Sequence, residues 1–191
     1  MKLSAHQALR RGLAVSFSKG FTLIELLVVI AVIGVLAAIV LLAVNPGEQL
    51  SRGRDTSRIA AVTQLGRALQ GYYTANNGTF PTQGTTWITT LVTSGDVKVA
   101  PVNPAYSIAP VAPICTYASY AQGGTVTGYC YRATATDAII FVKLESTLYD
   151  GKCVAGEDVF YAFSTADARA GGVCRTAAAG EPAVGTQTFV F

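Results

Sequence analysis

The chain is poor in the groups that catalysis most often uses. It has 191 residues and one histidine, His6. From residue 7 onward there is no imidazole, which excludes a Ser-His-Asp arrangement and imidazole acid–base chemistry there. The glycine pair Gly123-Gly124 has neither the spacing nor the lysine of a phosphate-cradling loop. Charge is scarce as well, at 13% Asp, Glu, Lys and Arg, and no block of one sign suggests a nucleic-acid surface. No CxxC occurs among Cys115, Cys130, Cys153 and Cys174, and no histidine stands near them, so a zinc site lacks its usual close ligand pairs. The chain does not read as an enzyme, and no cofactor is expected.

The cysteines present, all in the C-terminal half, read instead as two disulfides, which places that half in an oxidising, exported compartment. Three pairings are possible. Neighbour pairing, Cys115–Cys130 with Cys153–Cys174, is the most economical. The acids Asp150, Glu157 and Asp158 gather in sequence around Cys153 and could offer oxygen ligands to calcium. They lack EF-hand spacing, and a plain solvated loop is the simpler explanation of them. Asn77-Gly78-Thr79 matches the N-glycosylation pattern, although a turn needs the same residues.

What the chain has in excess is apolar length. Its mean hydropathy is +0.41, and one run from Phe21 to Val44 covers 24 residues. At about 1.5 Å per helical residue that run crosses a bilayer. Its length and the lack of a small-x-small site after it argue against an ordinary cleaved signal peptide. Lys2, Arg10, Arg11 and Lys19 precede Phe21 with no acid among them, so residues 1–20 are expected in the cytoplasm and everything after Val44 outside. Removing those four from the 14 basic residues leaves 10 against 11 acids, a near-neutral exported body. The run carries one acid, Glu25. A carboxylate there costs about 2.5–3.5 kcal/mol on insertion scales and calls for a partner. Gly34 and Ala37-Ala38 either admit a neighbouring helix closely or are the small residues such spans ordinarily tolerate.

Asn45-Pro46-Gly47 then marks a kink or a helix end. Beyond it Ile59, Val62, Leu65, Leu69 and Tyr72 recur every three or four residues. This predicts an amphipathic helix over 48–75, stopped by Asn76-Asn77-Gly78. Arg52, Arg54, Asp55 and Arg58 read as its solvated face, or more sharply as a subunit or headgroup contact. A short helix or turn is expected over Thr86–Thr93. Short strands are expected at Tyr117–Tyr120, Gly128–Thr134, Ala138–Leu144, Val159–Phe163 and Thr188–Phe191. The fold class is therefore α+β. A long N-terminal helix over 21–77, membrane-spanning at 21–44, packs its amphipathic part on a small antiparallel β domain over 78–191, with one sheet face free to receive the helix stripe.

Lys19-Gly20-Phe21-Thr22-Leu23-Ile24-Glu25-Leu26, the apolar span with Gly34 and the amphipathic continuation to Tyr72-Tyr73 closely resemble type IV pilins and the pseudopilins of type II secretion. Asn77-Gly78-Thr79-Phe80-Pro81-Thr82 resembles the turn that follows the first helix in pseudopilins. The resemblance covers residues 19–82. It implies that residues 1–20 are a leader cut after Gly20 by a prepilin peptidase, so that a chain still carrying them is a precursor. The new amine of Phe21 would be N-methylated. Glu25 would neutralise that amine on an adjacent copy while the 21–44 helices bundle into a filament core. Residue spacing alone also permits contact between Phe21 and Glu25 of one chain, at i, i+4. The family's span proline usually lies about a turn earlier, where Leu42 stands here, so Pro46 either takes over its role or marks the membrane exit.

The function so implied is a structural pilus subunit. Its partners are copies of itself, the peptidase, the assembly machinery and, through 21–44, the cytoplasmic membrane, from which it passes into a cell-surface filament. The alternative is a pseudopilin of a secretion or DNA-uptake system. A monomeric, membrane-anchored exported binding protein needs neither the cut nor Glu25, and an anchored hydrolase has no residues to carry its chemistry.

Overall fold

A computed structural model describes residues 20–43, 45–107, 115, 128–176 and 180–191. The chain divides into two compact units, Met1–Val44 and Asn45–Phe191.

The first unit's described part is one helix, α1, Leu23–Ala43. Leucine, isoleucine, valine and alanine fill it on every side, so it has no polar face to turn to water and no apolar stripe to turn to a core. From Leu23 to Leu41 its large side chains are all more than half exposed in the single chain, from 51% at Val29 to 85% at Leu23. Residues Leu23–Leu41 are long and apolar enough to cross a membrane, and none of that stretch is buried within the chain. Such a helix needs a solvent of its own kind, lipid or other helices.

The second unit opens with α2, Pro46–Ala75. Asn45 caps it, its side-chain oxygen accepting the Glu48 N–H at 3.2 Å. Pro46 stands at the first helical position, where its missing donor costs nothing. The Asn45-Pro46 interruption is thus the start of a new helix. Val62, Leu65 and Leu69 are fully buried along its inner face. That face continues towards the N-terminus through Ser51, Asp55 and Arg58, which are buried too. The expected solvated face at Asp55 and Arg58 is therefore wrong, while Arg52 remains 40% exposed.

A short helix, α3 (Trp87–Thr93), follows. The sheet is an antiparallel meander, β1 (Cys130–Ala133), β2 (Ala138–Lys143), β3 (Glu157–Ser164) and β4 (Arg169–Thr176), in that spatial order. One turn of helix, α4 (Thr147–Asp150), lies between β2 and β3. Both sheet faces are covered. On one side Ile140 and Val142 pack with Val62, Leu65, Leu69 and the α3 residues Trp87, Ile88 and Leu91. On the other, Ile139 and Phe141 pack with Cys115, Cys130, Phe160 and Val173, flanked by Tyr106, Val184 and Phe189. The unbroken run Ala138-Ile139-Ile140-Phe141-Val142 matches burial on two sides.

One expected strand needs correction. Thr188–Phe191 forms no strand, only a short tether in which Val190 N donates to Gly172 O and Gly172 N to Phe191 O, at 2.8 and 3.0 Å. The strand is β4, which the sequence conceals behind Gly171-Gly172. Those glycines are required, because a Cβ on Gly172 would collide with the Phe191 ring and one on Gly171 would lie 2.6 Å from Phe191 O. The expected strand Tyr117–Tyr120 lies outside the described residues.

Candidate functional site

Gly20 and Phe21 precede α1 as exposed chain outside any regular element, with Phe21 87% exposed. A Cβ on Gly20 would meet nothing within 4 Å. The fold therefore does not ask for glycine there, and any demand for it comes from something that acts on the segment. Thr22 is next, and it organises Glu25. Its N–H and its hydroxyl each donate to Glu25 Oε2 at 2.8 Å, and its Oγ1 accepts the Glu25 N–H at 3.3 Å. This is a capping box, in which the residue before the helix and the third residue within it satisfy each other's orphan donors. The Thr-x-x-Glu spacing ahead of an apolar run is itself the sequence signature of such a box. The carboxylate therefore takes Thr22 as its partner, and the nitrogen of Phe21 is a peptide amide rather than an amine. The acid also sits in the first turn, where the helix dipole favours negative charge.

The second polar assembly belongs to the Asn45–Phe191 unit. Arg58 donates through Nη1 to Asp55 Oδ1 at 2.7 Å and to Glu145 Oε1 at 3.0 Å. Its other nitrogens reach Asn103 Oδ1 at 3.1 Å and Pro104 O at 2.9 Å, and its guanidinium lies 3.8 Å from the centre of the Tyr106 ring. Asp55 accepts the backbone N–H groups of Glu145 and Ser146. Glu145 accepts from Ser107 N and from Arg54, which also donates to the Ser107 hydroxyl. Three stretches far apart in sequence, α2, 103–107 and 145–146, are thus tied by one fully desolvated arginine.

The titrations follow from this geometry. Burial works to raise the Glu145 pKa, but the Arg54, Ser107 and Arg58 donors outweigh it and hold the group below the usual carboxylate range. Glu48 behaves alike. Desolvation is opposed by the N–H groups of Thr147 and Leu148 and by Arg52, which hold it at about 2. Burial pushes the Tyr106 phenol well up although Arg58 opposes this.

Cys115 is bonded to Cys130 and Cys153 to Cys174, each pair with Cα atoms 5.6 Å apart. The three acids considered for calcium are not assembled into a site. Glu157 accepts the Val154 N–H and Asp158 pairs with Lys143. Among the described residues the acids and sulfurs that do converge are Cys153, Glu157 and Cys174, and both sulfurs are committed to the disulfide.

Compared with known proteins, residues 16–41 match the family model of the prokaryotic N-terminal methylation motif. No curated protein and no solved structure gives a significant match to the chain. The match thus covers Gly20, Phe21, the cap and most of α1, and stops short of the Asn45–Phe191 unit.

Proposed function

From the premise that this chain carries the class III leader of type IV pilins and pseudopilins over residues 16–41, we propose that it is a prepilin, the precursor of a structural subunit of a type IV pilus. The motif supports a type IV pilin-like or pseudopilin precursor, and the choice of pilus is our reading. In it, residues 1–20 are removed after Gly20, the new amine of Phe21 is methylated, and α1 waits in the cytoplasmic membrane until assembly buries it among its copies. The observation that carries the reading is α1 itself, a helix exposed and apolar on all sides, whose one acid stands in the first turn beside the cut.

The cut supplies what Glu25 lacks. Once Phe21 bears an ammonium group, the carboxylate has a cation within reach in a medium where a lone charge is costly. Thr22 holds the carboxylate in its helical rotamer until then, and pairing with the amine of an adjacent copy would bring the two charges together as helices bundle. The four basic residues before Phe21 place the leader on the cytoplasmic side, where a prepilin peptidase and an assembly machine would act as partners. The two disulfides suit a unit carried to the cell surface. The chain supplies structure rather than chemistry. A pseudopilin of a secretion or DNA-uptake system is the second reading, favoured by the Phe80-Pro81-Thr82 turn after α2.

Mass spectrometry of filament protein purified from native cells is the test. It should find a chain beginning at a methylated Phe21, and an intact leader in assembled protein would end the proposal. Glu25→Ala should insert into the membrane yet assemble poorly. Normal filaments from that variant would leave the proposed pairing without support.

A further inference from the structure

The C-terminal end of α2, the turn after it and the tips of two hairpins converge on one end of the exported unit, and two clefts flank Phe80 there. One, of about 310 Å³, is lined by Gln70, Tyr73, Thr74, Phe80, Thr136 and Thr165. The other, of about 450 Å³, is lined by residues 78–83 and 133–135. Both fall in the size range of small-ligand sites. We propose that these paired clefts form a binding site for a neutral saccharide, with Phe80 and Tyr73 offering the stacking surface and the Gln70 amide, the Tyr73 hydroxyl and the Thr82 hydroxyl the hydrogen bonds.

Charge is the first argument. None of the lining residues is charged, so neither an anion nor a cation finds a counter-charge there. The nearest acid in sequence, Asp137, already receives the Thr136 hydroxyl at 2.9 Å. The concavity along α2 at Thr63 and Gln64 differs in carrying both Arg67 and Asp96. What remains at Phe80 is aromatic, amide and hydroxyl surface. That combination suits a pyranose ring, which has an apolar C–H face and a rim of hydroxyls. A protein partner would look for exposed apolar anchors, and those of this unit, such as Val99, Val102 and Val154, are not among the lining residues.

Rigidity is the second argument. The walls are held before any ligand arrives. Gly78 N donates to Tyr73 O and Thr79 N to Asn76 O, at 2.9 and 3.1 Å. Consecutive left-handed residues, Asn77 and Gly78 with φ of 52° and 74°, reverse the chain. The buried Tyr131 hydroxyl donates to Pro81 O at 2.8 Å, and Gln83 Nε2 donates to Ala133 O at 2.8 Å. The rings of Tyr73 and Phe80 lie 4.4 Å apart. Thr165 Oγ1 bonds both N and O of Ala138, fixing one hairpin tip against the other. A site ordered in advance loses less freedom on binding. The Gln70 amide and the hydroxyls of Tyr73 and Thr82 carry no hydrogen bond within the described chain, which leaves them for a ligand.

The test uses the full chain, purified in detergent, against immobilised lactose, maltotriose and chitotriose, with sialyllactose and a heparin disaccharide as charged probes. At least one neutral probe should be retained in preference to both charged ones. Gln70→Glu should lower that retention at least tenfold, because it places a carboxylate in the cleft at an exposed helical position that tolerates it. Gln49→Glu, at the far end of α2, should leave retention unchanged. Phe80→Ala risks the fold and is therefore not the deciding variant; circular dichroism of Gln70→Glu should match the parent. Retention of no neutral probe, preference for the charged ones, or equal retention by Gln70→Glu would each overturn the proposal.

Discussion

The two long helices follow each other in sequence and obey opposite rules. Over Leu23–Leu41 α1 buries nothing, and its acid is served by a residue three positions away. Along its 30 residues α2 buries one face, and its inner acid, Asp55, is served both by Arg58 three positions on and by N–H groups 90 and 91 positions away. Those distant partners separate a segment whose polar contacts are local from one that exists only as part of a folded unit. Removing a partner should therefore act locally in the first helix and globally in the second.

The largest effect is expected at Arg58. Arg58→Ala leaves Asp55 buried with no cation, a change that costs about 3–5 kcal/mol. The loss should appear as a lower denaturation midpoint for the Asn45–Phe191 unit, with the helical signal of α1 retained. Pairing Arg58→Met with Asp55→Leu should recover much of it, since apolar replacement of both partners removes the unpaired charge. A single variant that melts like the parent would show that the network is ornamental. Acid should probe the same network. Glu145 and Glu48 have folded-state pKa values below their unfolded values, so the unfolded chain binds more protons and their contribution is complete only above the ordinary carboxylate range. It should fade as pH falls, for Glu48 between pH 4.5 and about 2. A melting midpoint that stays level through that interval would contradict the assignment.

A glycine in each helix gives the next contrast. In α2, Gly66 lies against the Phe163 ring, where an added Cβ would collide with it. Gly66→Ala should cost about 1–3 kcal/mol by overpacking, read from thermal melts. In α1, a Cβ at Gly34 meets nothing within 4 Å. Gly34→Ala should leave membrane insertion of the single chain unchanged. Comparable losses from the two in unassembled protein would erase the distinction between the helices.

This contrast also explains what could be read from the sequence. The α1 span, its terminus at Asn45-Pro46 and the stripe of Val62, Leu65 and Leu69 are local patterns, visible in a window of a few turns. Asp55 and Arg58 sit on the same stripe, and an ion pair three residues apart reads as a solvated face as long as the groups that enclose it are unknown. Those groups stand at 103–107 and 145–146, beyond any window. β4 stayed hidden for a related reason. Gly171 and Gly172 weaken a strand pattern, and only the Phe189 and Phe191 rings pressed on them explain the choice. Cysteine spacing left three pairings open, and the fold is what sets each bonded pair of Cα atoms 5.6 Å apart. At the candidate assembly segment the reverse holds. Thr22 and Glu25 form a local motif, and the acid's near partner is written in the Thr-x-x-Glu spacing itself.

The smallest effect should come from that near partner. Thr22→Ala removes the hydroxyl that donates to Glu25 Oε2 and accepts the Glu25 N–H. Loss of such a cap costs about 1 kcal/mol, roughly a fivefold change in a local opening equilibrium. Hydrogen exchange on the full chain in lipid nanodiscs should therefore speed up about fivefold at the Glu25 amide. It should remain unchanged from the second turn of α1 onward, because each later amide has its own acceptor in the helix. Thr22→Ser keeps the hydroxyl and should keep the slow exchange. Faster exchange spreading along α1, or across the exported unit, would mean that the first helix depends on its terminus as α2 depends on Arg58. No change at Glu25 would mean that water at the membrane surface substitutes for the cap.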